Sequence, residues 1–354
     1  MRLRTWMADQ DVDAAYVTRP VSIAYLTGFH ADTQERLMAL VVRIQSATLI
    51  VPAIEHDRAV RAASDFGVVG WRDGEDPYTL ARDSLAGADK VAVEKDHLTV
   101  RHAESLQALT GVRALADVSG EIRSLRRVKN AAELETLRRA AEITDGAYED
   151  VVRGIHVGQR ELEVADAIAA AISARGGTLA FDSLVQFGAN SALPHHHPTS
   201  RELRVGDLVL LDFGAAVDGY SADITRVAVA GEPTSHQRRI HELVLKAHDA
   251  AIDAVRAGVT AGTVDAAARR VFEDAQEAER FIHRTGHGLG LEVHEDPSLD
   301  PGSTLQLEAG MVATIEPGHY TDGWGGVRIE DDVVVEAHGC RLLTHADRSL
   351  RVIA

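Results

Sequence analysis

The stretch HRTGHGLGLEVHE, residues 283–295, sets His283, His287 and His294 among closely spaced glycines. A helix would carry Gly286, Gly288 and Gly290 at a cost of roughly 1 kcal/mol each relative to alanine. Glycine suits instead a backbone that turns sharply or approaches another group closely. Imidazoles on a bent, crowded backbone point to a metal or catalytic site; a solvated, histidine-rich loop is the plain alternative.

Carboxylates elsewhere favour the first reading. Asp212 closes the apolar run LVLLD and Glu316 closes MVATIE, and both runs read as buried strands. An ionised carboxylate there is costly unless it is paired or holds a cation. The two runs also echo each other. GDLVLLDFG (206–214) and GMVATIEPG (310–318) each open on glycine, place the acid six positions later and close on glycine. Another acid follows each run, Asp223 in GYSADITR and Glu330 in GGVRIED, and a histidine-bearing loop precedes each, at His195 and His294. Four carboxylates in one pocket raise one another's pKa and cannot all stay ionised without cations. Two divalent ions would neutralise them, and a mixed carboxylate–imidazole set suits Mn²⁺, Co²⁺ or Zn²⁺. The repeat predicts a pseudo-twofold sheet with a site at its centre.

The elements that must position these residues fall into two parts. In the first third, AAYVT, LMALVVR, SATLIVP, GVVGW and KVAVE read as strands, and EHDRAVRAASDF, DPYTLARDSLAG and TVRHAESLQAL as helices. This is a mixed α/β domain over residues 1–120, of ordinary domain size. The remainder, 121–354, opens on a long amphipathic helix whose start is marked by Asn130 and Glu133, at capping-box spacing. Further helices are predicted at 160–175, 236–257 and 263–279. No low-complexity linker separates the parts.

DFGAAVDGYSADITR, HRTGHGLGLEVHE, TIEPG and GVRIED together resemble the successive signatures of the pita-bread metallopeptidases, the family of methionine aminopeptidase, aminopeptidase P and prolidase. The likeness covers about residues 121–354, with every signature in order. The first part resembles the creatinase-type domain that precedes the catalytic part in prolidase and aminopeptidase P. The implied fold is an α/β N-terminal domain followed by an α+β pita-bread domain with a pseudo-twofold antiparallel sheet. By this resemblance Asp212, Asp223, His287, Glu316 and Glu330 hold two divalent ions, Mn²⁺ first and Co²⁺ or Zn²⁺ otherwise, with Asp223 and Glu330 bridging. Glu316 moves the proton of the attacking water, and His195 and His294 face the substrate. His283 matches no ligand, and His196 and His197 read as loop residues. Arg328, two positions before Glu330 on one strand face, and Thr225 are placed to orient ligands, and Arg328 is also a candidate substrate contact.

The resemblance implies hydrolysis of the Xaa-Pro bond. Proline offers no N–H for an ordinary peptidase to grip, and its fixed φ redirects the chain. Small proline-containing peptides are the implied substrates, dipeptides first, with aminopeptidase P action on longer peptides as the alternative. A non-catalytic pita-bread binding module is the remote one, disfavoured by the intact ligand set. A dipeptidase must bind the free carboxylate after proline, and arginine suits that task. Many prolidases place an arginine just after HE-x-P, where this chain has Ser298. The loop GFHADTQERLMAL offers Asp32, Glu35 and Arg36 instead, and Arg36 is the expected carboxylate contact.

Composition excludes other classes. The 354 residues are 45% apolar and 26% charged, as in a soluble globular protein with a substantial core. A formal charge of −17 argues against nucleic acid and anionic membrane surfaces as partners. Cys340 is the single cysteine, which precludes an internal disulfide and fits a reducing, cytoplasmic setting. No apolar run is long enough to cross a bilayer. A homodimer is expected from the resemblance and from the prevalence of twofold assemblies.

Overall fold

The computed structural model of the chain describes residues 2–31 and 33–354. It divides into two compact units, Met1–Arg126 and Arg127–Ala354. The division falls beyond residue 120 because the helix Ser119–Arg127 buries Ile122 and Leu125 in the core of the first unit.

The first unit is built on a six-stranded mixed sheet in the order Gly67–Trp71, Ala47–Pro52, Ala39–Arg43, Ala14–Val17, Lys90–Val93 and Ala114–Asp117. Its four central strands are apolar on both sides because both faces are covered there. Leu40, Val42, Leu49 and Val51 pack into one core, and Val41, Ile50, Tyr16 and Val93 into the other. This is the period-two alternation of a strand.

The second unit carries the repeat. Helices Ala131–Val152 and Glu161–Ala174 precede the strands Leu184–Phe187, Leu208–Phe213 and Ile224–Ala230. Helices Ser235–Ala254 and Ala261–Asp274 precede His287–Gly288, Val312–Ile315 and Asp331–Glu336. In each half the last two strands pair antiparallel. Between them runs a short ribbon, Ala215–Val217 with Tyr220–Ser221 in one half and Gly318–Thr321 with Gly325–Arg328 in the other. The two half-sheets meet at an antiparallel bridge between Thr225 and Glu330. Here lies the pseudo-twofold centre that the echo predicts. The Glu330 amide donates to the Thr225 carbonyl at 3.2 Å, and the Asp223 amide donates to Asp332 Oδ2 at 2.9 Å. The residues correspond, Asp223 to Glu330 and Thr225 to Asp332, although one bond ends on a backbone carbonyl and the other on a side-chain carboxylate.

The last helix ends at Asp274, short of the predicted 279, because Gln276 takes a left-handed backbone with φ of 59°. The helix Ala131–Val152 begins as the sequence indicates. Asn130 Oδ1 accepts from the amides of Ala132 and Glu133, and Glu133 Oε2 accepts from the Asn130 amide. Among the described residues no helix is long and apolar enough to cross a membrane. Asn130→Ala removes both bonds to the Asn130 side chain at the start of the helix that opens the second unit, and leaves the bond from the residue 130 amide to Glu133. It is expected to lower stability by about 1 kcal/mol, read as a lower urea midpoint at unchanged slope. An unchanged midpoint would show that the box contributes nothing.

Candidate metal centre and active site

Each acid reaches the centre because a buried strand ends there. Asp212 is the penultimate residue of Leu208–Phe213, opposite Thr225. Asp223 lies just before Ile224–Ala230, Glu316 just after Val312–Ile315, and Glu330 at the seam before Asp331–Glu336. His287 comes from the two-residue strand that pairs with Val312–Ile315 through Gly288 and Ala313. Glycine is required at this pairing: a Cβ on Gly286 would collide with the Thr314 carbonyl, and one on Gly288 with the Asp296 carbonyl. The chain then bends back, so that His287 faces Ser298 and Gly288 faces Glu295. This return brings the rings of His287 and His294 to 4.3 Å between centroids.

Ligand-type atoms of Asp223, His287 and Glu330 lie within 4.8 Å of one another, and all three residues are buried. His287 Nε2 is 3.3 Å from Glu316 Oε1. The Nδ1–H of His287 donates to the Gly288 carbonyl at 3.1 Å, which assigns the tautomer that turns the Nε2 lone pair toward the acids. Asp212 is held by Arg328, whose Nη2 donates to Asp212 Oδ2.

The electrostatics are those of an anionic cluster short of cations. Burial, then Glu330 and Asp212, pushes Asp223 well above the ordinary carboxylate range. Burial, then Glu316 and Asp212, does the same to Glu330. Burial lifts Glu316 to about 7, with Arg328 opposing and Asp212 adding to the rise. Burial and the neighbouring His294 hold His287 down to about 3, so its imidazole is neutral and ligand-ready. Asp212 Oδ1 and Asp223 Oδ1 are buried without a hydrogen-bond partner among the described residues. Unpaired buried carboxylate oxygens beside a neutral imidazole are the donor set that divalent cations satisfy, so the residues fit such ions.

These groups line a cavity of about 770 Å³ whose walls all belong to the second unit. His195 and His294 reach it, the former from the loop after Gly188–Ala192, the latter from the hairpin bend. His196 and His197 do not line it. Arg328 does, but all three guanidinium nitrogens already donate: Nε to Thr225 Oγ1 at 2.9 Å, Nη1 to the Tyr320 hydroxyl at 2.8 Å, and Nη2 to Asp212. It therefore orients Asp212 directly and Glu330 only through Thr225, whose hydroxyl donates to Glu330 Oε2 at 2.6 Å. The same-face argument pointed Arg328 at Glu330; the long side chain reaches across the sheet instead.

Three participants were not singled out by sequence. Tyr320 joins Arg328 to His283 Nε2, 2.9 Å away, and burial depresses His283 to about 4. Thr314 Oγ1 donates to Glu316 Oε1 at 3.2 Å and accepts from the His287 amide at 3.1 Å. Arg284 lines the cavity and donates to Ser298 Oγ at 2.8 Å. Alternation along the ribbon Gly318–Thr321 was the available signal for Tyr320; the other two have none beyond proximity in sequence. Arg36 belongs to the first unit, where it forms a bidentate pair with Asp73 at 3.0 Å. Glu35 is exposed beside it, and Asp32 lies outside the described residues.

The same constellation marks a known family. Residues 135–337 match metallopeptidase family M24, and residues 1–128 match the creatinase/prolidase N-terminal domain. The chain belongs to metallopeptidase family M24. Its fold is the pita-bread fold behind a creatinase-type domain, and this M24 protein is a metallopeptidase. It is 38% identical to an Xaa-Pro dipeptidase of Lactobacillus delbrueckii subsp. lactis, over 99% of this chain and 98% of that one. Among solved structures, the prolidase from Pyrococcus furiosus superposes with a TM-score of 0.91 at 33% identity, covering 98% of this chain and all of that one. The Xaa-Pro dipeptidase from Bacillus anthracis gives 0.94 at 31%, covering 99% and 98%.

The hairpin that carries His294 is pinned to the start of the second unit by two ion pairs. Lys129 Nζ meets Glu295 Oε1 at 2.7 Å with both side chains almost wholly buried, and Arg127 meets Asp296 at 3.0 Å. Lys129→Met strands a buried glutamate and is expected to cost about 3–5 kcal/mol. Lys129→Met with Glu295→Leu should recover most of that loss in urea titrations. Additive losses would mean that the pair is not coupled.

Proposed function

We propose that the chain hydrolyses the imide bond of Xaa-Pro dipeptides with two divalent ions held by Asp212, Asp223, His287, Glu316 and Glu330. The observation that carries this reading is the buried carboxylate–imidazole cluster inside a cavity of peptide size, in a chain similar along its whole length to Xaa-Pro dipeptidases. When bound, the ions supply Lewis acidity and lower the pKa of a water. Mn²⁺ suits the oxygen-rich ligand set best. We read the active assembly as a homodimer.

The chain's own residues do the rest. Glu316, which lines the cavity beside His294, takes the proton of the attacking water and delivers it toward the leaving nitrogen. Thr314 holds the Glu316 carboxylate from one side. His294 donates from its ring N–H to the oxygen that gains charge as the carbonyl becomes tetrahedral. His195 holds the substrate beside the departing imide nitrogen. Arg328, locked by Asp212, Thr225 and Tyr320, keeps two ligands from drifting, because each of its bonds fixes a different strand. Phe181, Leu184, Val293 and Ile282 give the cavity an apolar wall against which a side chain can exclude water.

Asp223→Ala and Glu330→Ala are each expected to abolish Leu-Pro hydrolysis and to lower the metal retained per subunit, measured by elemental analysis. Near-normal activity in either would overturn the reading. His294→Ala separates from the ligands: metal content stays close to wild type while kcat falls by about 10²–10³. His287→Ala should instead lose metal, and equal metal loss in the two variants would contradict their division of roles.

A further inference from the structure

Among the described residues no ion pair is formed by Arg284. It stands three positions before His287, lines the cavity with His294, Glu316 and His195, and is half-buried. Among the described residues its one hydrogen-bond partner is the neutral Ser298 hydroxyl, at 2.8 Å, and no carboxylate lies within ion-pair distance. Guanidiniums of this unit that are likewise shielded from solvent are matched: Arg328 by Asp212, Arg226 by Asp331, Arg127 by Asp296 and Arg269 by Asp265. Arg284 makes one of the five N–H bonds its fork can offer. Its field nevertheless reaches the reacting groups. His294 and Glu316 line the same cavity as its side chain.

Ser298 explains why the guanidinium points where it does. Ser298 lies directly opposite His287 across the hairpin, so its hydroxyl is presented beside the centre. It occupies the position after HE-x-P where an arginine would serve a dipeptidase, and its side chain is too short and uncharged to do so. It holds Arg284 at that place instead. A half-buried fork with free donors, facing a cavity, is completed by a carboxylate in bidentate contact.

We propose that Arg284, steadied by Ser298, receives the free C-terminal carboxylate of the dipeptide and so sets the preference for dipeptides over longer chains. This rests on the Xaa-Pro reading above. A longer peptide presents a neutral amide at the same point and gains little from the cation.

The test compares kcat/KM on Leu-Pro, Leu-Pro-amide and Asp-Pro for the Mn²⁺-loaded wild-type enzyme, Arg284→Gln and Arg284→Lys, with metal content measured in each. The ratio of Leu-Pro to Leu-Pro-amide should fall by about 10- to 150-fold in Arg284→Gln, the loss of a charge-assisted hydrogen bond. The loss should fall mainly on KM, with metal content unchanged. Arg284→Lys keeps the charge but not the fork and should recover part of the ratio; it also serves if the glutamine variant does not fold. An unchanged ratio, with both substrates losing equally, overturns the proposal, as does a loss confined to Asp-Pro, which would assign Arg284 to the residue before proline. A wild-type enzyme inactive on both Leu-Pro and its amide would overturn the Xaa-Pro reading itself.

Discussion

Mutual repulsion among buried carboxylates is the constraint on which this structure depends. Two like charges about 4.8 Å apart, the spread of the Asp223–His287–Glu330 cluster, repel by roughly 3 kcal/mol at an effective dielectric near 20. A surface ion pair is worth about 0–1 kcal/mol and cannot offset several such terms. Among the described residues Arg328 is the one cation in direct contact with an acid of the cluster, on Asp212, and its remaining donors go to Thr225 and Tyr320. The folded chain therefore holds an anionic site that divalent ions complete, and the favourable energy must come from elsewhere in the fold.

That energy is supplied by two apolar cores behind the two half-sheets. One gathers Leu210, Val227, Val244 and Ile315, the other Leu211, Phe213, Ile224 and Ile168. At the seam itself the polar accounting is tight. Arg226, almost fully buried, donates to the carbonyls of both Thr225 and Glu330 and to Asp331 Oδ1. It thereby fastens the two strands at the point where the acids press them apart. Thr344 Oγ1 donates to Asp331 and accepts from the Asp332 amide. The ligands are placed by backbone that has almost no freedom left.

Much of this was legible in the sequence. An acid at the end of an apolar run is conspicuous because burial and charge conflict, and repeating it at Asp212 and Glu316 gave the twofold arrangement. The Asn130–Glu133 box was legible because a cap depends on local spacing alone. What escaped were features set by long side chains and distant pairing. Arg328 crosses to Asp212 rather than staying on the Glu330 face. Tyr320 gains its role from a ribbon that folds over the centre, and the helix beginning at Ala261 stops where Gln276 turns left-handed, with no glycine to announce it. Arg36 drew notice as a charge in a polar loop, but charge alone does not reveal a partner, and Asp73 lies thirty-seven residues onward.

The pseudo-symmetry holds for the ligands and fails for the walls, and the chemistry requires that difference. Two cations can sit about a dyad, but a peptide has an amino end and a carboxyl end, so a symmetric pocket could not choose its direction. Asymmetry enters through the loops before each inner strand. In the first half, His195 rides on an exposed segment between Gly188–Ala192 and Leu208–Phe213. In the second, the chain doubles back as a hairpin, is anchored by Lys129 and Arg127, and presents His294, Arg284 and Ser298 together. Each helical pair and inner strand recurs, whereas among the described residues this anchored hairpin with Arg284 has no counterpart beside His195. A duplicated scaffold thus supplies the charge-neutralising centre, and one modified loop supplies the orientation.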